Sequence, residues 1–307
     1  MCSNRVRGVL MGHLIGDALG ARYEFKTAKE VKEMMAEDMK NDELLPMLGG
    51  GRFKWRAGEI TDDSEMGLSL AGCLLAKNGY DQATVATSYV RWIQSKPKSS
   101  GRTTRLALKI VDKVPRDWLE TWSDEQKLRL LQMIEENVKK TNEKSLSNGF
   151  LMRISPLPAF YHRQSFESWS NCIAKEVTIT HANSTTIDAA EIYTKAIHQL
   201  INGFTPKAVY QNALSSTKDK IVRKHLELAA IQLSPFPYGD DLSLSTNGDD
   251  QIMGYFGIAL QEKLLSMSYC MQNPLPRVYW MQFLSVGILI QMVALLLHYL
   301  VPISAVK

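Results

Sequence analysis

The sequence predicts an all-α protein, and three observations carry that expectation. Apolar residues recur at three and four, as in Leu128, Leu131, Ile134 and Val138, with Glu and Lys between them; that spacing lines one face of a helix. Helix stop and start signals follow one another closely, as where Asn202-Gly203 precedes Thr205-Pro206. No run of alternating polar and apolar residues is bounded by hairpin turns, and no repeat recurs at a solenoid period. The 307 residues, 45% hydrophobic and 22% charged, suffice to bury a core. A single compact multi-helix domain over residues 1–261 is expected, with residues 262–307 set apart as a divergent apolar tail.

Along the chain, Gly8, Gly12, Gly16 and Gly20 fall every four residues. On a helix they form a smooth stripe, and since each glycine costs about 1 kcal/mol in a helix interior, the stripe needs a reason. Close helix packing is one; a helix held near a ligand is the other. The stretch Gly58-Glu59-Ile60-Thr61-Asp62-Asp63-Ser64-Glu65 crowds carboxylates and hydroxyls just ahead of the apolar run from Met66 to Ala76. It reads as a capping box with Asp62 at the N-cap and Glu65 three residues on. It reads equally as adjacent hard oxygen donors of the kind Mg²⁺ takes, and one turn can serve both purposes.

Ser99-Ser100-Gly101-Arg102-Thr103-Thr104 is a polar glycine loop before a helix, suited to offering backbone N–H groups to phosphate. Ser147-Asn148-Gly149-Phe150-Leu151-Met152-Arg153 reads as a turn into a short helix, with Gly149 in a left-handed conformation. Thr180-His181-Ala182-Asn183-Ser184 puts a histidine immediately before the helix that starts near Ser184 and ends at Asn202-Gly203. A histidine there serves as a cap or core hydrogen-bonder more often than as a ligand.

Charge and cysteine usage exclude other classes. The net charge is +4, but the basic residues are scattered, without the aromatic interleaving of a nucleic-acid stripe. Cys2, Cys73, Cys172 and Cys270 lie far apart with no CxxC pair, which argues against a zinc site and a disulfide scaffold and for a reducing, cytoplasmic setting. No signal-peptide pattern is expected, because His13 and Asp17 interrupt the apolar stretch after Arg7.

Taken together and in order, Gly16-Asp17-Ala18-Leu19-Gly20 with Glu24, Thr61-Asp62-Asp63, Ser147-Asn148-Gly149 with Met152-Arg153, and Thr180-His181 resemble the ADP-ribosylglycohydrolase family, dinitrogenase-reductase-activating type, from about Arg5 to Gln261. The resemblance implies an all-helical fold with two Mg²⁺ ions in a cleft that takes ADP-ribose. It implies hydrolysis of the ADP-ribose glycosidic bond on a modified protein or small conjugate. By the same resemblance Thr61, Asp62 and Asp63 are metal ligands, and Glu24 is the mobile catalytic carboxylate. The loop with Ser100, Gly101 and Thr103 cradles the diphosphate, and Asn148, Gly149 and His181 line the pocket.

The chain departs from the family after Gln261. The family completes its metal centre with an Asp-Thr-Asp-Thr type motif near the C-terminus, and no such motif stands in this sequence, so the second ion lacks ligands and activity is expected to be impaired. From Lys263 to Lys307 there is no Asp or Glu, and Phe283 to Val301 is uncharged and mostly apolar, close to the roughly 20 residues that cross a bilayer. One reading is a non-catalytic ADP-ribose-binding or structural protein with a membrane anchor. The other is a slipped reading frame. Ile288-Leu289-Ile290-Gln291-Met292-Val293-Ala294, encoded as ATA CTG ATA CAA ATG GTT GCA after a G, reads one base earlier as Asp-Thr-Asp-Thr-Asn-Gly-Cys. The same shift over Ser266 to Gln272 permits Tyr-Glu-Leu-Leu-His-Ala, a return to amphipathic helix.

Overall fold

Local signals set most of the helices in the computed structural model, which describes residues 2–26, 28–40 and 45–231. In chain order they are α1 (Cys2–Gly20), α2 (Ala28–Asp38), α3 (Asp62–Lys77), α4 (Gln82–Gln94), α5 (Arg102–Ala107), α6 (Trp118–Thr121) and α7 (Asp124–Thr141). They continue with α8 (Leu151–Ile154), α9 (Pro156–Phe160), α10 (Phe166–Trp169), α11 (Asn171–Thr178), α12 (Ser184–Ile201), α13 (Pro206–Ser216) and α14 (Lys220–Ile231). Among the described residues there is no strand, only an isolated bridge between Gly50 and Trp55. The all-α expectation holds. The expected boundary at Gln261 and the apolar segment 283–301 lie outside the described residues, and among those described no helix is long and apolar enough to cross a membrane.

The described helices sort into two packed units, one formed within residues 1–61 and 199–231, the other by Asp62–His198. In the second, α7 shows how sequence becomes fold. Ser123 accepts the Gln126 N–H while Gln126 reaches back to the Ser123 N–H, a complete capping box. The helix then buries Leu130, Leu131, Ile134 and Val138. Leu128 is a correction, because it is 53% exposed. At 3.6 residues per turn it lies about 120° around the helix from Ile134, and Leu130 takes the inward place instead. Helix α4 packs against α7 and α3, starting at Asp81, whose carboxylate accepts the Thr84 N–H at 2.8 Å. Its inward face buries Val85, Ala86, Tyr89 and Val90.

In the first unit α1 forms as the glycine stripe requires, and Gly12, Gly16 and Gly20 are buried. The turn after α1 is fastened by Arg22, which grips both Asp38 oxygens at 2.6 and 2.7 Å, and by the Tyr23 hydroxyl, which donates to Asp38 at 2.6 Å. Burial pushes the Asp38 carboxyl up, but these hydrogen bonds outweigh it and hold the group below its ordinary value. Gly51, at φ 67°, closes against the same turn; a Cβ there would lie 2.6 Å from the Ala21 carbonyl oxygen. The expected stop at Asn202-Gly203 is a Schellman cap, with Phe204 N–H donating to Gln199 O and Gly203 N–H to Leu200 O, both at 3.1 Å. Thr205 then caps α13 by accepting the Ala208 N–H at 3.3 Å.

Candidate functional site

Helix α3 opens on Asp62, Asp63 and Glu65, acidic groups that the positive end of a 16-residue helix favours. Asp62 is the first helical residue, one position inside the N-cap place expected for it. Its carboxylate accepts a hydrogen bond from the Ser99 hydroxyl. Glu65 turns one oxygen to the Trp92 indole N–H at 2.7 Å. Asp62 and Asp63 are half-buried.

Thr61, in the first unit, is buried and tied down by a residue to which the sequence assigned no role. Asp17, fully buried on α1, accepts both the backbone N–H of Thr61 at 2.8 Å and its hydroxyl at 2.7 Å. Thr61 thus presents a hydroxyl oxygen whose proton goes to Asp17. In kind, then, Thr61, Asp62 and Asp63 fit Mg²⁺, which takes hard oxygen ligands. Among the described residues no three His, Cys, Asp or Glu side chains gather closely enough to hold a metal. Glu24 is half-buried in the turn between α1 and α2, beside Phe25, whose φ of 64° is a left-handed conformation that costs a non-glycine residue about 1–2 kcal/mol.

Within the Asp62–His198 unit, three loops that lie far apart in sequence are knotted together by hydrogen bonds. Asn142, at the C-cap of α7, donates from its side-chain amide to the Thr103 carbonyl and to the Thr180 carbonyl, both at 2.9 Å. Ser147 donates to the Thr103 hydroxyl at 2.9 Å and lies 2.9 Å from His181 Nε2. Thr103 and Ser145 hydroxyls are 3.1 Å apart, and Ser145 donates to Ser147 at 3.3 Å. The structure thus brings Thr103, Gly149 and His181 to one place. A Cβ on Gly149 would stand 3.3 Å from Thr104 Oγ1 and 3.9 Å from the His181 ring. Gly149 does not have the positive φ expected of it; close approach of Thr104, rather than a left-handed turn, is what favours a small residue there.

The remaining candidates are placed less tightly. Ser100 is half-buried, its carbonyl and hydroxyl both accepting from Arg105. Gly101 is exposed at the start of α5, and a Cβ there would meet nothing nearer than Thr104 Oγ1 at 3.9 Å. Asn148 is half-buried, and its carbonyl accepts the Leu151 N–H at 2.8 Å.

His181 is fully buried, its ring edge-on to Phe150 with centroids 5.1 Å apart. Burial, and then the charge of Arg153, push its pKa down to about 3, against a smaller upward pull from the Ser147 backbone. It is therefore neutral at any ordinary pH. Arg153 is the centre of a second network that sequence reasoning missed. Its guanidinium, fully buried, donates to Glu176 Oε1 at 2.7 Å, Glu176 O at 3.1 Å, Gly149 O at 3.0 Å and Thr180 Oγ1 at 3.0 Å. Tyr89 and Tyr80 donate their hydroxyls to the two Glu176 oxygens at 2.8 and 3.2 Å. Burial and then the Glu176 charge drive both tyrosines well above their ordinary pKa, so they remain donors.

The family model for ADP-ribosylglycohydrolases matches residues 2–274, a span that takes in every candidate site residue. The chain belongs to the ADP-ribosylglycohydrolase family. Among its relatives, the ADP-ribosyl-dinitrogen reductase glycohydrolase of Rhodospirillum rubrum is 28% identical over 224 residues, covering 72% of this chain and 65% of that protein. An ADP-ribosylarginine hydrolase of Pseudomonas putida is 25% identical over 221 residues, covering 71% of this chain and 52% of that protein. The chain spans between about half and two thirds of the curated relatives it matches. A solved structure described as an ADP-ribosylglycohydrolase-related protein complex aligns with a TM-score of 0.65 at 18% identity, covering 100% of this chain and 90% of that one. That likeness shows the fold.

Proposed function

We propose that this chain is built for Mg²⁺-dependent hydrolysis of the ADP-ribose glycosidic bond on a modified protein or small conjugate, and that its activity is impaired because the C-terminal acidic motif is out of frame. The observation that carries this reading is the bond from Ser99 to Asp62. It joins a candidate metal carboxylate to the loop holding Ser100, Gly101 and Thr103, which Ser147 in turn ties to His181. Residues that would hold the ion and residues that would hold ADP-ribose belong to one hydrogen-bonded framework. Relatives named as ADP-ribosyl hydrolases supply the substrate class.

Thr61, Asp62 and Asp63 would hold the metal, with Glu24 as the carboxylate that contacts metal or substrate. Bound Mg²⁺ would supply positive charge to orient ribose hydroxyls and a water at the scissile carbon. The chain's own contribution is positioning. Asp17 fixes Thr61 by accepting its N–H and hydroxyl, Ser99 fixes the Asp62 carboxylate, and the three knotted loops would hold ADP-ribose so that its C1″ meets a water. Glu24 would take a proton from that water or assist the leaving group.

The test is release of ADP-ribose from an ADP-ribosylated protein, with Mg²⁺ and with chelator, by the full chain and by its Asp62→Ala variant. Slow Mg²⁺-dependent release, abolished by chelator and by Asp62→Ala, is expected. Release that is indifferent to both overturns the proposal.

A further inference from the structure

The buried Arg153–Glu176 pair does more than fill the core, because its hydrogen bonds run in one direction toward the loops. Glu176 accepts from Arg153, Tyr80 and Tyr89 and so holds the guanidinium in place, while a second face of that guanidinium reaches Gly149 O and Thr180 Oγ1. The Arg153 charge also stands 4.8 Å over the Tyr89 ring.

Thr180 is fully buried, and a hydroxyl has one proton to give. Its oxygen accepts from Arg153, so its own proton goes to the next polar atom in reach, His181 Nδ1 at 2.8 Å. With Nδ1 accepting, the neutral ring carries its proton on Nε2 and donates to Ser147 at 2.9 Å. Ser147 can accept there because its proton is committed to Thr103. Thr103, Ser145 and Ser147 then close a ring in which each hydroxyl donates once and accepts once. The opposite tautomer would leave two acceptors competing for the Ser147 proton and two donors facing each other between Thr180 and His181.

We infer that Arg153 and Thr180 are positioning residues: through Thr180, Arg153 fixes His181 as its Nε2–H tautomer and thereby sets the Ser147-Asn148-Gly149 turn for ADP-ribose. Arg153 acts on that turn twice, directly at the Gly149 carbonyl and through the chain Thr180, His181 and Ser147. The link to ADP-ribose rests on the function proposed above; the tautomer does not.

The experiment pairs ¹⁵N-histidine NMR of the full chain with titration by free ADP-ribose, for wild type, Thr180→Val and Thr180→Ser, with His181→Gln used to assign the resonance. Valine keeps the shape of threonine without the hydroxyl, and serine restores the hydroxyl. Wild type and Thr180→Ser are expected to show His181 protonated at Nε2, and Thr180→Val a mixture of both tautomers with ADP-ribose affinity down about tenfold, the loss of roughly one well-placed hydrogen bond. An Nδ1–H ring in wild type overturns the inference, and that spectrum decides alone if Thr180→Val does not fold. Thr180→Val with a pure Nε2–H ring and undiminished affinity also overturns it. If wild type binds no ADP-ribose, the ligand reading fails, while loss of the Nε2–H ring in Thr180→Val and its return in Thr180→Ser still uphold the positioning role.

Discussion

Acid destabilises the Asp62–His198 unit through His181 well before its carboxylates protonate. In the fold, burial and the neighbouring Arg153 charge hold the ring's pKa at about 3, while in the unfolded chain it is near 6.5. Between those values the unfolded chain binds the extra proton. The stabilisation is therefore complete above about pH 6.5 and is lost as pH falls toward 3, with a limiting slope of about 1.4 kcal/mol per pH unit. From about pH 6.5 to 4.5 the loss comes to about 2.5 kcal/mol, a large share of the roughly 5–15 kcal/mol that holds a domain together. Urea unfolding followed by near-UV circular dichroism across that range, for wild type and His181→Gln, reads the effect. His198, whose pKa burial also lowers, is present in both proteins and cancels. Asp38, held below its ordinary value, loses its contribution only below about pH 4, outside the window. Wild type is expected to lose stability more steeply than His181→Gln by about 1 kcal/mol per pH unit. Parallel curves would refute the assignment of a buried, neutral His181.

Other perturbations test the rest of the framework. Glu176→Gln leaves the buried Arg153 charge without its counter-charge, which costs about 3–5 kcal/mol by urea unfolding. Asp17→Asn leaves one of the two Thr61 donors without a full acceptor and lowers stability by about 1–3 kcal/mol, measured by thermal melting. In a chain with the C-terminal frame restored, Ser99→Ala weakens Mg²⁺ affinity by about 10–100-fold by calorimetry, as loss of an orienting partner does at other metal centres.

What could be read from the sequence follows physical range. Helix α12 was bounded correctly by Ser184 and Asn202-Gly203, and α13 by Thr205-Pro206, because caps and stops act within a few residues. The short helices α6 and α10 carry too few turns for periodicity to register and leave no such trace, whereas α8 is signalled by the Ser147–Gly149 turn that leads into it. The Asp62-Asp63 cluster and the Ser147–Gly149 turn stand out as local polar runs. The groups that orient them do not: Asp17 acts on Thr61 across 44 positions, Ser99 on Asp62 across 37, and Arg153 on Glu176 across 23. Only folding makes those pairs neighbours. Gly149 shows the complementary error, since its residue type suggested a backbone angle while the structure ties it to the nearness of Thr104. One signal was available for Arg153, a charged residue inside the apolar run from Phe150 to Pro158, which calls for a buried partner.

The central claim is that this family member carries a sound ADP-ribose framework and only part of its metal centre. It is tested most directly by titrating Mg²⁺ into an ADP-ribose release assay run with this chain beside one read one base earlier after Gln261. The restored chain is expected to turn over and saturate with Mg²⁺, and the present chain to release little at any Mg²⁺ concentration. Equal turnover and equal Mg²⁺ dependence in the two would contradict the account.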